Sequence, residues 1–209
     1  MKIKYNEAKD LLQEGDILLF RGKGLISFLI KRYTGGVHSH VALASKCNDT
    51  WMCVEFREFK GGRSVALESQ IQGNDNVDVF RPVNSISYQE MNENGDINNI
   101  EKFYTPETAE SMTQDIIKWT GQPYGWKNIF KMFLKFVPFV RLFKQNINDN
   151  DIAEAKVCST AVAVALRKEF MDPVPYLADE KVSPADLARS PIIHYLFTID
   201  GITDEDKGD

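Results

Sequence analysis

The chain has 209 residues, 43% of them hydrophobic and 26% charged, with a formal net charge of −5. That size and balance describe one globular domain, with no basic surplus to hold a nucleic-acid backbone. Three cysteines, an odd number in a chain this long, argue against a disulfide scaffold and for a reducing compartment. No apolar run reaches the roughly 18 residues of a spanning helix, and Met1 to Asn6 lack a signal-peptide pattern. The expected location is cytoplasmic.

Asn6 to Gln13 carries a helix start signal, and Glu14-Gly15-Asp16 a turn. Asp16 to Phe20 reads as a buried strand. Gly22 to Gly24 breaks it, and Leu25 to Tyr33 reads as a short helix stopped by Gly35 and Gly36. Val37 to Ser45 and Trp51 to Phe56 alternate in polarity, as two strands of a hairpin do. Arg63 to Leu67 and Val77 to Pro82 are further strands. Residues 84–103, rich in Asn and Glu, read as a polar surface loop. Thr105-Pro106-Glu107 opens a helix to Thr120. Lys127 to Phe136 continues helical, Cys158 to Phe170 is a helix with an Ala/Val side, and Ser183-Pro184 caps another to Ala188. Ile192 to Ile199 is a last strand, before an acidic tail at 203–209. The economical arrangement is one α+β domain over residues 1–209, an antiparallel sheet packed on helices.

The reactive side chains are few. Cys158 stands at the start of its helix with Lys156 nearby, where the helix dipole and the cation favour a thiolate and the N–H groups face a developing oxyanion. A buried structural cysteine is the plainer alternative. Strand parity puts His38, His40, Ala42 and Ala44 on one face, with room beyond the small residues for a helix bearing Cys158. If 47–50 form the turn, 46 pairs with 51, 44 with 53 and 42 with 55. Glu55 then lies diagonal to His40, within reach of its ring, as an orienting third residue would. Unaided, each also reads as an ordinary strand residue. Zinc on His38, His40 and Cys158 or His194 lacks the further ligands it needs, and Cys47 and Cys53 form no close pair. The reading is therefore no metal and no cofactor.

These residues carry a family likeness. "EGDILLF" at Glu14 to Phe20, "HSHVALA" at His38 to Ala44, "VEF" at Val54 to Phe56, "GQPYGW" at Gly121 to Trp126, "VCSTAVAVAL" at Val157 to Leu166 and "VSPADLARS" at Val182 to Ser190 follow in order. In that order the chain resembles the permuted NlpC-like cysteine hydrolases of the YiiX type. The resemblance implies a circularly permuted papain-like fold. It also implies Cys158 as nucleophile, His40 as general base, Glu55 as orienting residue and Tyr124 lining the substrate site. The implied substrate is a peptide or a lipid acyl chain. Turnover is hydrolysis or acyl transfer, and a non-catalytic ligand-binding module on the same fold remains a distinct reading.

One segment departs from the pattern. Within 126–145, Lys127, Lys131, Lys135, Arg141 and Lys144 interleave with apolar residues such as Ile129, Phe130, Phe133, Leu134, Phe139 and Phe143. Residues 127–144 read either as a packed helix with one solvated cationic face or as a lid or membrane-surface helix. No oligomeric state is implied.

Overall fold

The computed structural model describes residues 1–57, 60–72, 76–121 and 158–201. Tyr124, the basic-apolar segment 127–144, Lys156 and the acidic tail 203–209 lie outside the described residues.

The fold is α+β. Seven strands form the main sheet: β1 (Lys2–Ile3), β2 (Ile17–Phe20), β3 (His40–Cys47), β4 (Thr50–Arg57), β5 (Gly61–Ala66), β6 (Val77–Pro82) and β9 (Ile193–Ile199), in the order β1-β9-β6-β2-β3-β4-β5. All neighbours pair antiparallel except β1 with β9, which run parallel at one edge. The expected antiparallel sheet thus gains one parallel rung.

Alternation along the strands divides the core into two layers. On one face Ile17, Leu19, Val41, Leu43, Val54 and Phe56 meet helices α4 (Pro106–Ile117) and α5 (Cys158–Glu169). On the other, Leu18, Phe20, Ala42, Ala44 and Cys53 meet Ala8 of helix α1 (Tyr5–Ala8), Leu12, Leu67 of helix α3 (Leu67–Gln70) and Ile71. Each fully buried Leu or Ile contributes about 1.5–3 kcal/mol relative to exposure.

Local chemistry explains the helix ends. Thr105 Oγ1 accepts from Thr108 N at 3.2 Å, with Pro106 in the first turn, as the sequence anticipates. Ser183 and Asp186 form a reciprocal capping box on helix α6 (Pro184–Ala188). Ser159 Oγ donates to Val182 O at 2.6 Å and ties α5 to the chain entering α6.

The segment 84–103 is not a loop. It forms a separate hairpin of β7 (Ser85–Met91) and β8 (Ile97–Phe103). Its polarity hides the alternation, because only Ile86, Tyr88, Ile100 and Lys102 are partly covered while their neighbours face water. The turn is set by Asn92, whose Oδ1 accepts from the N–H groups of Asn94 and Asp96. Ile86 packs on the core, and Lys102 Nζ donates to Phe170 O at 3.1 Å. Two smaller differences follow the same logic. The first helix shortens to Tyr5–Ala8, and Leu67 leaves its strand to start α3, burying its side chain.

Candidate active site

The β3–β4 hairpin sets the site. Its ladder pairs Lys46 with Trp51, Ala44 with Cys53 and Ala42 with Glu55, the register that strand alternation anticipates. The turn is tighter than anticipated. Cys47 pairs with Thr50, and Asn48 takes the left-handed conformation at φ 52°, which asparagine tolerates. Glu55 therefore lies one same-face step from His40, the first residue of β3.

His40 Nε2 shares a hydrogen bond with Glu55 Oε2. The other carboxylate oxygen, Oε1, accepts from Arg63 Nε at 2.8 Å and Nη2 at 2.5 Å. Arg57 Nη1 lies 3.8 Å from Oε2. Gln70 Oε1 accepts from Arg57 at 2.9 Å and from Arg63 at 3.0 Å, which keeps the two guanidinium groups beside the one carboxylate. Phe20 lies against the imidazole, with ring centroids 5.4 Å apart. Glu55 is 2% exposed and His40 7%, so the pair works at reduced dielectric, where Coulombic coupling is strong.

Cys158 completes the constellation. Its side chain lies close enough to His40 to raise the pKa of the imidazole. Since Nε2 is engaged by Glu55, Nδ1 is the ring nitrogen left for the sulfur. Burial alone pushes the imidazole toward its neutral form. The charge of Glu55, then Cys158, outweighs burial and raises the His40 pKa from 6.5 to about 10. Burial pushes the Glu55 carboxyl up as well, but His40, Arg57 and Arg63 pull it down from 4.5 to about 2. The pair is an imidazolium held by a carboxylate across the neutral range.

The approach of Cys158 differs from the sequence expectation. The small-residue face of β3, Ala42 and Ala44, packs on Leu67 and Ile71 rather than on α5. Helix α5 covers the opposite face, over Val41 and Leu43, and Cys158 at its start influences His40 at the start of β3. His38 also departs from the anticipated face. Ser39 N donates to Phe20 O, and β3 begins only at His40, so strand alternation does not extend back to residue 38. His38 Nε2 instead bonds Asp78 Oδ2 at 2.7 Å and packs edge-on against Phe80. Arg21 and Thr198 Oγ1 hold the same carboxylate. Burial raises the Asp78 pKa, and those hydrogen bonds more than offset it, down to about 2.

The three thiols differ sharply. Cys47 is exposed; Cys53 is fully buried, and burial pushes its pKa well above 9.0. Cys158 is 6% exposed and lies close enough to His40 to raise its pKa. The hydroxyls of Ser39 and Thr160, one residue from His40 and two from Cys158, are buried without a hydrogen-bond partner among the described residues. Arg63 and Gln70 are positioning residues that strand alternation did not single out. Their signal is the β4–β5 register, in which Arg63 faces Glu55. Among the described residues no three His, Cys, Asp or Glu side chains are grouped to hold a metal ion.

Fold and site together define an α+β protein with a buried histidine–glutamate pair and a cysteine beside it. No family model matches the chain, and no curated protein matches it. Among solved structures it is similar to the crystal structure of the metalloprotein yiiX from Escherichia coli O157:H7. The identity is 18% and the TM-score 0.48, over 88% of this chain and 96% of that one.

Proposed function

We propose that the chain is a cysteine hydrolase of amidase or peptidase type, on a circularly permuted papain-like fold. The order of its parts supports the permutation: histidine strand, glutamate strand, then the cysteine helix nearer the C-terminus. One observation carries the activity. A buried imidazole is bonded to a carboxylate and has the Cys158 side chain beside it, close enough to raise its pKa.

In this reading Cys158 Sγ attacks the carbonyl carbon of an amide or ester. His40, already an imidazolium beside Glu55, donates its proton to the leaving amine or alcohol, so the thiolate of Cys158 is the attacking form. N–H groups at the start of α5 stabilise the oxyanion. Water, activated by the now neutral His40, attacks the thioester and frees the acid. Replacing that water by another nucleophile makes the same site an acyltransferase. Glu55 acts through His40: its carboxylate fixes the ring and sustains the imidazolium. The neighbour yiiX is described as a metalloprotein; the described residues of this chain do not group into a donor set for such an ion, and each step above uses the chain's own side chains.

Iodoacetamide labelling read by mass spectrometry tests the reading. Cys158 is alkylated in the wild type, and that labelling falls at least tenfold in His40→Ala while Cys47 labelling is unchanged. Equal Cys158 labelling in both proteins would overturn it, and would leave a ligand-binding module as the better account.

A further inference from the structure

Helix α2 (Leu25–Thr34), LISFLIKRYT, has five large apolar residues in its first six positions, of which Ser27 is the one polar member, and buries none of its residues. Leu25 is 73% exposed and Phe28 60%; with Arg32, also exposed, they form one outward stripe at i, i+3 and i+7. The inner positions Ile26, Ser27, Ile30 and Lys31 are partly covered. Val37, just past the helix, is exposed as well. Isolated exposed apolar residues are ordinary, but an apolar stripe along one helix marks a contact surface.

Charge says which contact. From Ile17 to Asn48 there is no acidic residue, in a chain whose net charge is −5, and Lys31 and Arg32 lie in the helix with Lys23 just before it, while Arg21 is paired with Asp78. Lys31 Nζ donates to Gly22 O at 2.8 Å, which holds a cation against the loop leading into the helix. Apolar side chains pointing outward among cations suit an anionic bilayer, where the apolar groups enter the acyl boundary and the cations meet headgroups. At 10 residues α2 is too short to cross a bilayer, so its contact is with a surface.

We infer that α2 is a membrane-docking helix that seats the protein on anionic lipid through Leu25, Phe28 and Arg32. It stands on the exposure of α2 and does not depend on turnover at Cys158.

Co-sedimentation of the full chain with two kinds of vesicle tests this: phosphatidylcholine alone, and phosphatidylcholine mixed with phosphatidylglycerol. The expected result is binding to the mixed vesicles that weakens as salt is added. Leu25→Glu/Phe28→Glu lowers that binding by at least about tenfold. Arg32→Gln lowers it by about fivefold. Because these side chains are exposed, thermal unfolding of each variant matches the wild type and separates lost docking from lost folding. Cys158→Ala retains full binding, so failed docking and failed hydrolysis are read independently. Three results would overturn the inference. One is no binding to mixed vesicles. Another is binding that the double substitution leaves intact, which assigns the contact to another segment. The third is a dimer in light scattering that the same double substitution dissociates, which assigns α2 to a second copy of the chain.

Discussion

Glu55 lies opposite Ala42 on the neighbouring strand, and its Oε2 meets Nε2 of His40 one same-face step farther along. The hairpin register alone brings the two side chains together, so the carboxylate is positioned by backbone pairing rather than by a mobile loop. Its second oxygen is held by Arg63 from β5. A ring oriented in this way presents one nitrogen, in one direction, to Cys158.

Glu55→Gln keeps the side-chain volume and removes the charge. The carboxylate is the largest upward influence on the buried imidazole, so the His40 pKa falls in this variant. Turnover drops by about 10²–10⁴-fold, the range for a lost acid–base or orienting contribution. Stability falls by roughly 3 kcal/mol, because Arg63 is left beside an uncharged partner in a dry site. Imidazole titration by NMR, turnover with a chromogenic ester and denaturant unfolding read the three effects separately.

The same pair sets a pH dependence of stability with two limbs. The Glu55 pKa is lowered, so its contribution is complete above 4.5 and is lost as the pH falls toward about 2. The His40 pKa is raised, so its contribution is complete below 6.5 and is lost as the pH rises toward about 10. The difference in unfolding free energy between wild type and Glu55→Gln is therefore largest between pH 4.5 and 6.5. It shrinks on both sides. A difference that stays level from pH 6.5 to 10 would remove the linkage.

His38 and His40 separate in their effects. His38 belongs to a cluster with Asp78, Arg21 and Thr198, away from Glu55. His38→Gln costs about 1–3 kcal/mol, the range for disturbing a buried hydrogen bond to a charged group. Cys158 labelling and turnover stay within about threefold of the wild type, since no bond of the His40 network is removed. The matching His40→Gln variant loses turnover. Equal losses from the two substitutions would place both histidines in the chemistry.

Much of this arrangement was legible in the order of residues, and the remainder fails for identifiable reasons. Alternation in 37–45 and 51–56 carries the Ala42–Glu55 register because a one-residue slip would exchange Glu55 with the Val54 and Phe56 positions that face the helix layer. The caps at Thr105 and Ser183 are local, and they appear where the residues predict. What alternation does not carry is the direction of packing. Both faces of β3 are fully buried, so the Ala42 face offers no sign of which layer holds α5. The β7–β8 hairpin fails differently. Two strands exposed on most positions have little apolar contrast, and their pairing shows in the turn chemistry of Asn92 instead. Arg63 is not read from the pattern because alternation in 63–67 alone does not set its register against β4.

Gly62 provides a test of the packing that holds β4 and β5 under α4. A Cβ placed there would lie 2.4 Å from the carbonyl oxygen of Trp119 and 3.0 Å from the Phe56 ring. The first contact is with backbone, which cannot rotate aside as a side chain would. That carbonyl belongs to the turn closing α4, where Trp119 N donates to Ile116 O at 3.0 Å and Gly121 N donates to Gly62 O at 2.9 Å. Gly62→Ala therefore pushes the end of α4 away from the sheet and disturbs the Phe56 contact with Trp119. The cost is about 1–3 kcal/mol, as for other overpacked sites. Because Arg63 follows directly and bonds Glu55, the same shift reaches the carboxylate. Thermal unfolding shows the loss of stability, and turnover falls with it. Gly95→Ala, in the exposed hairpin turn with nothing near its Cβ, measures the cost of a positive φ alone and leaves turnover unchanged.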